Sequence, residues 1–172
     1  MITKKKIGKC PVFFWVGATK PKKYSESGEY VFHGSPNGGI EVLEPKQAYV
    51  TIKGEKIKDG KPAVFASKDY NLSLVHAVLG NSVLWKEGSG FRTSVSNGIV
   101  KVWITREMSE LLENNNPIGC IYVLKKENFS KSSRDEEVVS RDVVVPVEKI
   151  KVGKEELLKS VSMNFFENIK SE

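Results

Sequence analysis

Two residue types with broad chemistry are scarce in this 172-residue chain: it has two cysteines, Cys10 and Cys120, and two histidines, His33 and His76. The cysteines lie far apart and belong to no CxxC or Cys/His cluster. That argues against zinc and for reduced, structural thiols, with a disulfide between them still open. Any catalytic imidazole must be His33 or His76. A serine-hydrolase elbow, G-x-S-x-G, is absent. Neither phosphate-cradling loop, G-x-x-x-x-G-K-[ST] or G-x-G-x-x-G, is found, and Gly88-Ser-Gly90 lacks both the third glycine and a following helix. No apolar run approaches the ~20 residues that span a bilayer. The run Val12-Phe-Phe-Trp-Val16 follows a basic start but is too short for a secretory signal. It is bounded by Pro11 and Gly17 and leads into Lys20-Pro-Lys-Lys23, with no small-residue cleavage pattern. A cytoplasmic protein without membrane association is the expectation. Internal repeats and low-complexity segments are also absent.

The length suits one core of ordinary size, so a single domain over 1–172 is expected, with a flexible basic start over 1–9. An apolar content of 40% argues against disorder of the whole chain. The formal charge of +6 is uneven. Lysines cluster at Lys4, Lys5, Lys6 and Lys9, at Lys20, Lys22 and Lys23, and at Lys53, Lys56, Lys58 and Lys61. Such clusters suit an anionic partner, and they equally suit solvated segments.

Strands are expected at Val12–Val16, Tyr30–His33, Ala63–Ala66, Ser82–Trp85, Ile118–Leu124, Glu137–Ser140 and Val143–Val152, the last bulged or at an edge because of Pro146. Asn97-Gly98, a pair tolerant of positive φ, should join Phe91–Ser96 to Ile99–Ile104 in a hairpin. Lys20–Gly28 reads as a loop. Lys46–Pro62 reads as a long mobile connection, extended only at Tyr49–Ile52. Ser67 or Asp69 can cap a helix whose inward face is Leu72, Val75, His76 and Leu79 and whose stop is Gly80. Glu107–Glu113 is a short helix, and apolar spacing at Leu158, Val161, Phe165 and Ile169 predicts a packing helix over 153–172. Strands and helices do not alternate regularly. The class is therefore α+β, with two small, mostly antiparallel sheets around a cleft and a few short helices.

Tyr30-Val-Phe-His-Gly-Ser-Pro36 is the stretch with most chemical content. A short apolar strand delivers a histidine, a glycine and a hydroxyl at its end, either as a ligand seat or as a packed histidine before a turn. His76 reads equally as a core histidine on its helix. Glu136 and Glu137 stand at a strand entrance, where a carboxylate is often only surface charge.

Three pieces, His33-Gly-Ser35 at the strand end, Val64-Phe-Ala-Ser67 leading through Asp69-Tyr70 into a helix, and Glu137 at a strand start, together resemble the ADP-ribosyltransferase superfamily, in its diphtheria-toxin and poly-ADP-ribose-polymerase branch. The resemblance covers roughly 29–150. It implies NAD as substrate and transfer of ADP-ribose to an unknown protein or nucleic-acid acceptor. His33 would bind the adenosine ribose, and the backbone of Gly34, with Ser35 beside it, the nicotinamide amide, glycine permitting close approach. Glu137 would hold the nicotinamide ribose and stabilise positive charge as the glycosidic bond loosens. Glu136 takes that role if the strand starts one residue earlier. The sequence departs from the family at the aromatic pair: the first stacking tyrosine falls on Phe65, and the second falls nearest His76, with Tyr70 as an off-register substitute. A related family, the RNA 2′-phosphotransferases, would need basic residues for phosphate, for which Arg92, Arg106, Arg134 and Arg141 are available. From a different class, a non-catalytic module could use the same fold and its lysines to hold nucleic acid.

Overall fold

The computed structural model describes residues 22–166. The expected strand at Val12–Val16, the basic start over 1–9, and Cys10 lie outside the described residues. In chain order the elements are α1 (Lys22–Ser25), β1 (Tyr30–Ser35), β2 (Lys46–Ile52), β3 (Glu55–Ser67), α2 (Tyr70–Leu79), β4 (Phe91–Ser96), β5 (Ile99–Ile104), α3 (Arg106–Asn114), β6 (Ile118–Lys125), β7 (Ser130–Lys131), β8 (Glu137–Ser140), β9 (Glu148–Gly153), α4 (Lys154–Ser160) and β10 (Ser162–Phe165). The protein is α+β, with its strands in two sheets. The larger is seven-stranded, ordered β7-β8-β3-β1-β6-β9 with β2 on β3, and the smaller is β10-β5-β4. Every pairing is antiparallel except β10 on β5. Among the described residues no helix is long and apolar enough to cross a membrane.

Helix α2 organises the interior. Asp69 caps it, its Oδ1 accepting from the amides of Asn71 at 2.6 Å and Leu72 at 3.2 Å. The inward face is broader than Leu72, Val75, His76 and Leu79. Leu74, Val75, Ala77, Val78 and Leu79 are all buried, Leu72 is half-buried, and His76 is exposed. The reason is that α2 joins one apolar cluster with residues from both sheets, including Phe32 and Ile121 of the larger and Val100, Val102 and Ile104 of the smaller. The opposite face of the larger sheet carries a second cluster around Val31, Val64, Tyr122, Leu124 and Val138. Leu43 and Val144 bridge over it through paired backbone hydrogen bonds.

Two glycines allow α2 to sit close to the larger sheet. A Cβ on Gly34 would fall 1.8 Å from the Ser73 carbonyl oxygen, and one on Gly119 would fall 2.1 Å from that of Ala77. Ser73 Oγ donates to the Phe32 carbonyl at 2.9 Å and closes the same contact.

Several expectations change. Lys46–Pro62 is not a loose connection but most of a β2–β3 hairpin, turned at Lys53 (φ 51°) and Gly54 (φ 82°). Lys20–Gly28 includes the turn of helix α1. Ser82–Leu84 is a 3-10 turn rather than a strand, capped by the Asn81 side chain and burying only Leu84. Of Val143–Val152, only Glu148–Gly153 is strand, because Pro146 cannot donate to a ladder. The tail is not one helix over 153–172. α4 buries Leu157, and the chain then straightens into β10, which satisfies the open edge of β5. Leu158 and Phe165 are consequently exposed, and Ile169 lies outside the described residues. The Asn97-Gly98 hairpin forms as expected, with φ of 51° and 70° at the two turn residues.

Candidate functional site

β1 and β3 are registered at one pair, Phe32 with Ser67. Beyond it the strands fork, and the fork opens a cleft of about 220 Å³. β1 contributes Phe32, His33 and Gly34; β3 contributes Phe65, Ala66 and Ser67; α2 contributes Leu72, Ser73 and His76; β8 contributes Glu137. The cleft lies within the larger sheet and against α2, not between the two sheets. It is smaller than the roughly 300–1,000 Å³ of pockets that enclose drug-sized ligands, and its volume matches a ring-sized group.

His33 bridges the fork. Its Nδ1 is 2.8 Å from the Phe65 carbonyl oxygen. A carbonyl only accepts, so the ring proton belongs on Nδ1 and Nε2 is left as an acceptor. Burial lowers the His33 pKa, and Lys46 lowers it further against the opposing hydrogen bond to Phe65. The imidazole is therefore neutral at neutral pH. Behind it, the Tyr122 ring lies 6.2 Å away.

Glu137 is the first residue of β8 and pairs with Ser67. Both carboxylate oxygens are held. Ser132 Oγ donates to Oε1 at 2.5 Å, and Arg134 Nη1 donates to Oε2 at 3.2 Å. Arg134 Nη2 also reaches Asp59 Oδ2 at 3.2 Å, tying the carboxylate to the β2–β3 hairpin. Glu136 does not line the cleft; its carbonyl accepts from the Lys68 amide, which leaves the strand starting at Glu137.

His76 stands on the α2 wall, exposed to solvent, with its ring 5.6 Å from that of Phe91. Partial loss of solvation lowers its pKa, the positive form of His33 lowers it further, and Glu137 raises it. The two histidines and the carboxylate thus belong to one electrostatic neighbourhood. Phe65 offers a half-buried ring at the same place.

Two expected residues are elsewhere. Tyr70 is 8% exposed and packs edge-on against Phe32 at 5.4 Å. Burial chiefly, and Glu156 next, push its hydroxyl pKa up to about 12. It is a core residue and presents no face to the cleft. Ser35 Oγ accepts from the Asn37 amide at 3.1 Å and closes the turn after β1. Gly34 does line the cleft, but α2 occupies the side on which its Cβ would stand. Helix packing is by itself a sufficient reason for glycine there.

Sequence reasoning missed the roles of Ser132 and Arg134, five and three residues before Glu137 in a polar loop. Only the short separation could have suggested them. The four arginines considered for a phosphate are each engaged: Arg134 with Glu137 and Asp59, Arg141 with the Lys61 and Pro62 carbonyls, Arg92 over the Phe166 ring at 4.3 Å, and Arg106 with Glu110 at 3.6 Å. Among the described residues no group of three or more His, Cys, Asp or Glu could hold a metal ion. Comparison with protein-family models, with curated proteins and with solved structures returned no match.

Proposed function

We propose that the protein transfers ADP-ribose from NAD to an acceptor, with the nicotinamide end of NAD seated in the cleft at the β1/β3 fork. One observation carries this reading. His33 and Glu137, far apart in sequence, face the same ring-sized cleft, which Phe65 also lines. A neutral His33 with Nε2 unprotonated accepts from a ribose hydroxyl. The Phe65 ring stacks on the nicotinamide, taking the part that a tyrosine plays in the family the sequence resembles. Glu137, fixed at both oxygens by Ser132 and Arg134, stands against the ribose.

As the bond between the ribose anomeric carbon and the nicotinamide nitrogen breaks, the bonding pair leaves with nicotinamide, which departs neutral. Positive charge gathers on the ribose ring, and an oriented carboxylate stabilises it more than it stabilises bound NAD. A nucleophilic oxygen or nitrogen of the acceptor then bonds to that carbon and loses its proton.

Calorimetric titration with NAD and an assay of nicotinamide release test the reading. Glu137→Gln should keep NAD affinity within about threefold and lower release at least about a hundredfold. His33→Ala should weaken NAD binding about tenfold, the loss of one well-made hydrogen bond. No NAD binding by the parent protein, or unchanged release by Glu137→Gln, would remove the assignment.

A further inference from the structure

The β2–β3 hairpin continues as a two-stranded ribbon beyond the sheet, since β3 pairs with β8 only over Val64–Ser67 and with β1 only at Ser67. Direct partners in an antiparallel pair share a side, and sides alternate along each strand. Tyr49 with Lys58 and Thr51 with Lys56 therefore form one face; Ala48 with Asp59, Val50 with Ile57 and Ile52 with Glu55 form the other. Both carboxylates lie on the second face, and Asp59 is paired with Arg134. The first face has none. Its ring, Tyr49, is 47% exposed, and Lys56 Nζ stands 4.7 Å from the ring centre. Lys53 adds a cation at the turn. Among the described residues, Lys53, Lys56 and Lys58 are in none of the ion pairs.

We propose that this face of the ribbon binds single-stranded nucleic acid. Lys53, Lys56 and Lys58 meet phosphates, and Tyr49 supplies the ring on which an unpaired base stacks. An exposed aromatic ring beside lysines that are in no ion pair suits a single strand, which offers both phosphates and unpaired bases, better than an acidic peptide, which offers carboxylates alone. It also distinguishes a single strand from a duplex, whose bases are already stacked on one another. The face is separate from the residues that line the β1/β3 cleft, so binding here does not require the chemistry proposed for that cleft.

Fluorescence anisotropy with the full chain and labelled oligo(U) and oligo(dT) of about 20 nucleotides tests the proposal. Binding should weaken as salt rises from about 50 to 200 mM, and the log–log slope should fall by about 1.4 in Lys56→Gln/Lys58→Gln, about 0.7 for each lost phosphate contact. Tyr49→Ala should lower affinity at least about fivefold while keeping the slope, because stacking is not ionic. His33→Ala should bind as the parent does, whether or not the cleft takes NAD. Circular dichroism confirms that the ribbon variants remain folded, as exposed positions should. Four results would overturn the proposal: no oligonucleotide binding at the lower salt, affinity unmoved by the ribbon variants, a duplex bound as tightly as a single strand, or polyglutamate of equal charge displacing the oligonucleotide as well as unlabelled oligo(U) does.

Discussion

At Gly34 the side chain is missing because a helix stands where it would go. Gly34→Ala would drive a methyl group into the Ser73 carbonyl, so α2 must lift from β1. We expect a loss of about 3 kcal/mol, or roughly 6–12 °C in Tm by circular dichroism; an unchanged Tm would mean that the helix is not seated as described. Glu137 poses a different question, since the reach of its carboxylate is set by Arg134 and Ser132 and not by its own strand alone. Arg134→Gln keeps a donor but removes the charge and the second contact to Asp59. Under the proposed reaction, nicotinamide release should fall about tenfold to a hundredfold with NAD affinity little changed, the signature of a misplaced group. A matched loss in affinity would instead point to a direct role in binding. Of these residues, His33, Gly34 and Glu137 were singled out by the family resemblance, which needs a histidine and glycine at one strand end and a glutamate at another strand's start. Arg134 and Ser132 were not, because a polar loop carries no period from which to read their direction.

Among the elements, α2 is where local and distant forces meet. Asp69 was identifiable as a possible cap from composition alone, since its oxygen satisfies first-turn amides whatever the helix packs against. Asp69→Ala should therefore cost about 1 kcal/mol and lower Tm by roughly 2–4 °C, and Asp69→Asn should restore most of it. If Asn and Ala variants melt alike, the cap is not what holds the helix start. The broad burial of α2 was not legible, because a helix covered by two sheets loses the one-sided stripe on which periodicity depends. Similar reasoning covers β2 and β3. Their turn is Lys53-Gly54, and lysine at positive φ is not the asparagine or aspartate by which such a turn is usually recognised. The lysine-rich flanks then read as solvated chain although the strands pair along most of their length.

For the molecule as a whole, the two histidines contribute to how stability responds to mild acid, the half-buried His33 more than the exposed His76. Both have pKa values lowered in the fold, chiefly by loss of solvation, which weighs more on His33. Below the ordinary value near 6.5 the unfolded chain takes up protons that the folded chain resists. Their contribution is thus fully present above about pH 6.5 and is lost as pH falls through the lower folded values. Thermal melts between about pH 7.5 and 5 should show Tm falling, and the fall should be shallower in His33→Gln/His76→Gln, which has no imidazole to protonate. Parallel curves for parent and variant would place the acid sensitivity elsewhere.

By itself the sequence determined the α+β class, the Asn97-Gly98 hairpin and the capped start of α2. The hairpin and the helix cap rest on residues adjacent or one helical turn apart, where propensity and capping act without outside help. Only the tertiary structure decided that β1 and β3 fork at Phe32 and Ser67 and that His33, Phe65, His76 and Glu137 share one cleft while Tyr70 turns into the core. It also decided that the tail leaves its helix to pair with β5. These outcomes depend on which distant strand supplies hydrogen bonds and which surface is covered. That is a balance of non-local pairing and burial, and no short stretch of sequence encodes it.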